Sequence, residues 1–312
     1  MLKNIFSISQ QQEGKIQIKL LGIKINFKSL HTQKMIRQNP YYICKKNNVD
    51  IRSVPKAQGQ LRDFQLATFY LLKEFDKICK QENITYWIDY GTFLGAVRHK
   101  GFIPWDDDID IGIMEYDLDK LFKAFELNNK NADIYIEKAT GDCTKGYLYK
   151  VRCKKCPDIF IDIFVNCNWD EELSLKQAKK VTKEIKASRK KYFKNFPKLN
   201  SKEIVEQSDI FQSKVMETCK NNSKENGNLM LSSTMTLWYD NWFRLKSFIF
   251  PLSEISFEGQ TFPCPNNRCE YLTLLYGNYM SYPKKITLRH NGFRKLNEKE
   301  LENIKELANL AL

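Results

Sequence analysis

Between Tyr86 and Met114 the chain reads YWIDYGTFLGAVRHKGFIPWDDDIDIGIM, and this stretch holds a dense set of side chains capable of chemistry. Four carboxylates, Asp106, Asp107, Asp108 and Asp110, fall within five residues. They run into the apolar alternation Ile109, Ile111, Ile113. Successive side chains of a strand face opposite sides, so a strand over 108–114 would put Asp106, Asp108 and Asp110 on one face and the isoleucines on the other. Like charges that close disfavour one another's ionisation. A hard divalent cation, Mg²⁺ or Mn²⁺, removes the conflict, and Mg²⁺ is commonly held by one or two carboxylates together with substrate phosphates.

Two further features belong with the acidic run. Upstream, Gly91-Thr92 closes an alternating segment (Ile84, Tyr86, Ile88, Tyr90) and opens a predicted helix through Phe93, Leu94 and Val97. Free N–H groups and the positive dipole end at a helix start make a seat for phosphate. Downstream, IFIDIFV over 159–165 reads as a strand buried on both faces, interrupted by Asp162. A carboxylate there is expensive unless paired or bound to a cation. The alternative is a strand-end Asp satisfied by backbone N–H groups. Together, the turn, Asp108 with Asp110, and Asp162 make the constellation that two divalent ions bridging a nucleotide's phosphates require, with Asp162 as metal ligand or as base for an acceptor hydroxyl. Arg98 and Lys100 could offset phosphate charge. His99 reads equally as a surface residue or an acid–base group.

The elements that must position these groups follow from periodicity. Leu61, Phe64, Thr68, Leu71, Phe75 and Ile78 predict a helix over 61–81, and Tyr116 to Phe125 another. Short strands are expected at 135–138 and 147–152. A long basic helix is expected at 173–198, where Lys176, Lys179, Lys180, Lys183, Lys186, Arg189, Lys190, Lys191 and Lys194 meet few acids. A solvated face is its default reading, and contact with anionic lipid or a phosphorylated glycan the sharper one. Core packing accounts for the aromatic run at 234–250, with an aromatic cage as the alternative. A short helix within 269–283 and a last helix at 298–310 complete the pattern. Residues 1–50 read as an appendage and linker, with a hairpin turning at Gly22, and 51–312 as the main domain.

Composition bounds the rest. The 312 residues, 42% hydrophobic and 28% charged, are those of a core-forming globular chain. Lys and Arg outnumber Asp and Glu 50 to 37, a balance that favours phosphates or anionic surfaces. Nine cysteines in this length do not make a disulfide scaffold. Cys153-x-x-Cys156 lacks a second ligand pair at zinc spacing, so reduced thiols in a cytoplasmic protein are expected. No stretch approaches the ~18–20 apolar residues of a membrane span.

GTFLGAVRHKGFIPWDDDIDIGI resembles the signature of the LicD family, which includes bacterial phosphocholine transferases and the fukutin-type enzymes of animals within the nucleotidyltransferase superfamily. Gly91-Thr92, Asp108 with Asp110, and Asp162 match that superfamily's pattern, and Asp106 belongs to the family's acidic run. YLTLLYGNYMSYP resembles a second block at Tyr276, Gly277, Tyr279 and Pro283, and Arg289-His290 its basic tail. Asn278 stands where many relatives have an acid. Cys264 and Cys269 do not reproduce the zinc-binding insertion of fukutin-type members. The resemblance spans roughly 61–292. It implies an α/β (α+β) fold, a nucleotidyltransferase-like mixed β-sheet flanked by helices with a helical C-terminal elaboration. It implies catalytic Asp108, Asp110, Asp162 and Arg98, and metal ligands Asp106, Asp108, Asp110 and Asp162. Gly91, Thr92, Lys100, Trp105 and Arg289 would bind the donor, with Trp87, Trp238 and Tyr239 as further stacking partners. The implied reaction is Mg²⁺-dependent transfer of a phospho-alcohol from a CDP-alcohol, foremost CDP-choline, to a surface-glycan or lipid-linked glycan acceptor. No nucleic acid is expected as a partner. The implied setting is cytoplasmic, with peripheral contact at the inner membrane.

Overall fold

The computed structural model describes residues 6–11, 15–20, 23–28, 40–128, 133–140, 146–169, 174–196, 198–222, 227–232, 243–283 and 295–312. Near the N-terminus, β1 (Phe6–Gln11), β2 (Lys15–Leu20) and β3 (Ile23–Lys28) form a separate antiparallel sheet. The β2–β3 pair is the expected hairpin, with Leu20 opposite Ile23, and β1 adds a strand that periodicity did not mark. Helix α1 (Pro40–Lys46) follows. Its residues fall inside the expected appendage, yet Tyr41 and Cys44 are buried in the main core. Tyr41 stacks edge-on against Trp105 at 4.6 Å and donates its hydroxyl to the Pro283 carbonyl at 2.8 Å. The main domain therefore begins before residue 50, because a buried aromatic ring ties this turn to the site loop.

The main sheet is mixed. Helix α2 (Gln60–Gln81) leads to β4 (Tyr86–Ile88), α3 (Tyr90–His99), β5 (Ile109–Met114) and α4 (Leu118–Asn128). Next come β6 (Ile134–Thr140), β7 (Tyr147–Cys153), β8 (Phe160–Trp169), α5 (Leu175–Lys194), α6 (Ser201–Asn222), β9 (Leu229–Ser232) and β10 (Phe243–Leu245). β5 and β8 run parallel, and the other pairings are antiparallel. β8 is long enough to pair with β5 and β7 over its first part and with β9 over its last four residues. Ile109, Ile111 and Ile113 lie on the same face as Ile161, Ile163 and Val165, and all six are essentially water-free. Helices α2, α4 and α6 pack on the strands of this sheet. The opposite face carries Asp110 and Asp162.

The C-terminal part adds α7 (Lys246–Ile249), the hairpin β11 (Ser253–Phe257) and β12 (Gln260–Cys264), α8 (Arg268–Tyr276) and α9 (Glu298–Ala311). α9 starts with a capping box between Asn297 and Glu300 and buries Ile304, Leu307 and Ala308 along α2. Helix α6 was not legible by period, because Ser208 and Gln212 interrupt the buried stripe of Phe211 and Val215. On α5, Lys176, Lys179, Lys180, Lys183, Lys190, Lys191 and Lys194 are exposed. At ~100° per residue they fall within about 120° of the helix surface. Arg189 does not join them: it is 2% exposed and donates to the Ser208 hydroxyl at 3.3 Å. Among the described residues no helix is long and apolar enough to cross a membrane.

The β11–β12 turn clamps the loop that carries the acidic run. Glu258 (φ 49°) and Gly259 (φ 86°) both take the left-handed backbone that a two-residue hairpin turn needs. Glu258 is an unfavourable residue there, but its carboxylate accepts from Arg62 at 2.7 Å, Lys56 at 2.8 Å and the Phe102 amide at 3.1 Å. Gln65 of α2 donates to the Asp106 carbonyl at 2.8 Å from the other side. Burial pushes the Glu258 carboxyl up, but Arg62 and Lys56 outweigh it, leaving the group below its ordinary 4.5. A depressed carboxyl stabilises the fold above its unfolded value, and that stability is lost as pH falls through the folded value. Glu258→Gln should therefore cost ~2 kcal/mol at pH 7, discounted for the half-exposed Lys56. In urea melts the gap to wild type should close as pH drops below about 4.5.

Candidate active site

Asp89 organises the start of α3. It is fully buried, and its carboxylate caps the helix by accepting from the Tyr90 amide at 2.7 Å. Its charge is met by Arg244, also fully buried, whose guanidinium lies 2.9 Å away. That guanidinium sits over the Tyr90 ring at 4.3 Å, and the Tyr271 hydroxyl bonds to both charged groups. Burial alone would weaken the Arg244 cation, but Asp89 beside it drives its pKa up. Neither Asp89 nor Arg244 was singled out from the sequence. Asp89 lies in the second residue before Gly91, a capping position; Arg244 had no sequence signal.

Gly91 and Thr92 lie in the first turn of α3, not in a turn before it. Both fasten Asp110. The Gly91 amide donates to Asp110 Oδ2 at 3.0 Å, and the Asp110 amide donates to the Thr92 hydroxyl oxygen at 2.7 Å. Asp110 sits on β5 directly opposite Asp162 on β8. Carboxylate oxygens of Asp108, Asp110 and Asp162 lie within 4.8 Å of one another, as do those of Asp106, Asp107 and Asp108. Asp106 and Asp108 precede β5, so the loop rather than strand alternation brings them in. Asp107 is 5% exposed and turns inward. Asp162 is mid-strand and ion-paired to Lys150 of β7, not a strand-end Asp.

Burial raises the Asp110 carboxyl well above its ordinary range, and the charges of Asp108, Asp162 and Asp106 push the same way. The donor set is all carboxylate oxygen, which suits a hard divalent cation. The residues fit such an ion in a second respect. A Cβ on Gly91 would lie 3.2 Å from both Asp106 Oδ2 and Asp110 Oδ2, so the missing side chain keeps the space between them open.

The remaining expected residues divide. Arg98 is 7% exposed; it donates to the Tyr279 carbonyl at 2.9 Å and lies over Trp105 at 5.9 Å. Burial brings its pKa to about 10, so it stays a cation. Trp105 is 7% exposed, held between Tyr41 and Arg98. Its packing supports the loop and Arg98 and leaves little ring to stack on a donor. Trp87 is a correction. It is fully buried on β4 over Gly112, with Nε1 donating to Asp89 at 3.2 Å, so no donor can stack on it. Lys100 is exposed and ends α3 in the left-handed conformation. Burial, with Arg98 beside it, drops the His99 imidazole to about 3, so it is neutral and no acid at physiological pH. Cys153 and Cys156 are free and buried thiols. Arg289, His290, Trp238 and Tyr239 lie outside the described residues.

Fold and site define a class: a mixed sheet of the nucleotidyltransferase type, with carboxylates on adjacent parallel strands beside a helix start. The family model for the LicD/FKTN/FKRP nucleotidyltransferase domain matches residues 83–267, and the chain belongs to that family as a phosphotransferase. It is 26% identical over 252 residues to the lipopolysaccharide cholinephosphotransferase LicD of Haemophilus influenzae, covering 72% of this chain and 92% of that protein. An uncharacterized protein of Rickettsia prowazekii is 40% identical over 99 residues, 31% of this chain and 33% of its own. The human ribitol 5-phosphate transferase FKRP is 44% identical over 36 residues, 12% of this chain and 7% of its own.

Gly91→Ala should keep the fold, with stability changed by no more than ~1 kcal/mol, since Ala suits a helix. It should weaken Mn²⁺ binding about tenfold by crowding Asp106 and Asp110; titration followed by electron paramagnetic resonance checks this.

Proposed function

We propose that this phosphotransferase passes phosphocholine from CDP-choline to a hydroxyl of a bacterial surface glycan, such as lipopolysaccharide, capsule or teichoic acid, in its finished or lipid-linked form, and releases CMP. The observation that carries the reading is the meeting of Asp108, Asp110 and Asp162 beside the α3 start. Similarity to a lipopolysaccharide cholinephosphotransferase along nearly its whole length supports the substrate class. The short match to a ribitol 5-phosphate transferase favours another CDP-alcohol as the second reading.

The acceptor oxygen attacks the phosphorus that bears the choline. A new P–O bond forms there, and the bond from that phosphorus to the bridging oxygen breaks. The electron pair leaves with CMP. The hydroxyl proton passes to a carboxylate, for which Asp162 is the proposed base. Asp108 and Asp110, with Asp106 beside them, would hold Mg²⁺. When bound, that ion supplies charge neutralisation on the diphosphate. Arg98 keeps its cation by the acidic loop. The exposed lysine face of α5 would rest on anionic lipid at the cytoplasmic side of the inner membrane, close to lipid-linked acceptors.

Incubation with CDP-choline, CDP-ethanolamine, CDP-ribitol and CDP-glycerol, with Mg²⁺ and the cell's glycan, should release CMP fastest from CDP-choline and add phosphocholine by mass. Pyrophosphate release instead of CMP would overturn the mechanism. Asp110→Asn should lower transfer by at least a hundredfold while the chain stays soluble and melts cooperatively, because it removes a ligand from a crowded site. For the lipid contact, reversing Lys179, Lys183 and Lys190 to Glu should weaken binding to phosphatidylglycerol vesicles at least tenfold, at ~1 kcal/mol per lysine. Unchanged sedimentation with those vesicles would remove the membrane role.

A further inference from the structure

Lys150 has no part in the reading above, yet its side chain enters the carboxylate cluster. Four charged residues stand in one row across the sheet: Asp110 on β5 is opposite Asp162 on β8, Asp162 opposite Lys150 on β7, and Lys150 opposite Glu137 on β6. The Lys150 ammonium lies 2.5 Å from Asp162 Oδ1, with the two side chains only 15% and 6% exposed. The same ammonium sits 3.5 Å from the centre of the Phe160 ring. An aromatic face attracts a cation, so Phe160 holds the ammonium from a second side. Lys150 is therefore fixed by strand register, by a ring and by an ion pair.

We propose that Lys150 is a tethered cation standing where a second metal ion would otherwise bind, so that the donor-free site takes one divalent ion rather than two. The proposal rests on the divalent-cation reading of the cluster. Of the carboxylates that Asp106, Asp107, Asp108, Asp110 and Asp162 bring together, Lys150 neutralises the one at the Asp162 end, which leaves the ion to the carboxylates on the other side. A second ion at Asp162 Oδ1 would sit against a fixed positive charge, and repulsion in a partly buried site is strong. Lys150 thus acts through Asp162 as a positioning residue. It holds that carboxylate in place before the ion arrives.

The test uses the whole chain and Mn²⁺ alone, counted by equilibrium dialysis and electron paramagnetic resonance, with melting followed in parallel. Wild type should bind one Mn²⁺ per chain. Lys150→Met should bind a second, with the spin-coupled signal of a close pair, and its metal-free melting temperature should fall and be restored by Mn²⁺. Lys150→Arg should keep the wild-type count. Two ions on wild type, or an unchanged count in a folded Lys150→Met, overturns the proposal while leaving the divalent-cation reading intact. No Mn²⁺ on wild type or either variant overturns both. Should Lys150→Met fail to fold, Lys150→Gln, which keeps a polar group beside Asp162 without the charge, takes its place with the same expected and overturning counts.

Discussion

The structure is built around a repulsion. Carboxylates of Asp108, Asp110 and Asp162 are held within 4.8 Å on a partly buried face, where like charges would prefer to part or to stay protonated. Several independent restraints hold them there. Asp110 is bound at its amide by Thr92 and at its carboxylate by the Gly91 amide. Asp162 is set opposite it by parallel pairing and is met by Lys150. Asp108 arrives on a loop whose neighbours are anchored by Gln65 and Glu258. The cost of assembling like charges is offset by the apolar opposite face of β5 and β8 and its helix cover.

A second charge problem supports the first. Asp89 fixes the start of α3, and hence the direction of the Gly91 amide. It does so from a fully buried position, where an unpaired carboxylate would be prohibitive. Arg244, about 150 residues on, supplies the counter-charge. The C-terminal part is joined to the site through Tyr271, which reaches Asp89 beside Arg244, through Glu258, which holds the acidic loop, and through the Tyr279 carbonyl, which accepts from Arg98.

Much of this was legible in the chain. Alternation marked β5, a nearly continuous apolar run marked β8, helical spacing marked α2, and the acidic run stood out against a basic composition. The difficulties have physical causes. Ser208 and Gln212 hide the period of α6, and short strands such as β9 carry too few residues to show one. Trp87 reads as a stacking residue because a tryptophan beside a phosphate turn is chemically apt. Only the approach of β4 to Gly112 on β5 shows that its ring is enclosed. Tyr41 fell outside the expected boundary because the short run PYYIC lies within an otherwise polar segment, while its own ring is buried against Trp105.

By itself the sequence determined the local chemistry: which residues carry charge, which segments alternate, and which family signature they compose. Such features depend on neighbours a few positions apart, and a one-dimensional pattern records them. The tertiary structure decided which charges meet. Asp162 joins Asp110 by the register of two parallel strands, Lys150 joins Asp162 by the register of an antiparallel one, and Arg244 reaches Asp89 across more than half the domain. Pairing over such separations is set by strand order and side-chain packing, which no local pattern encodes.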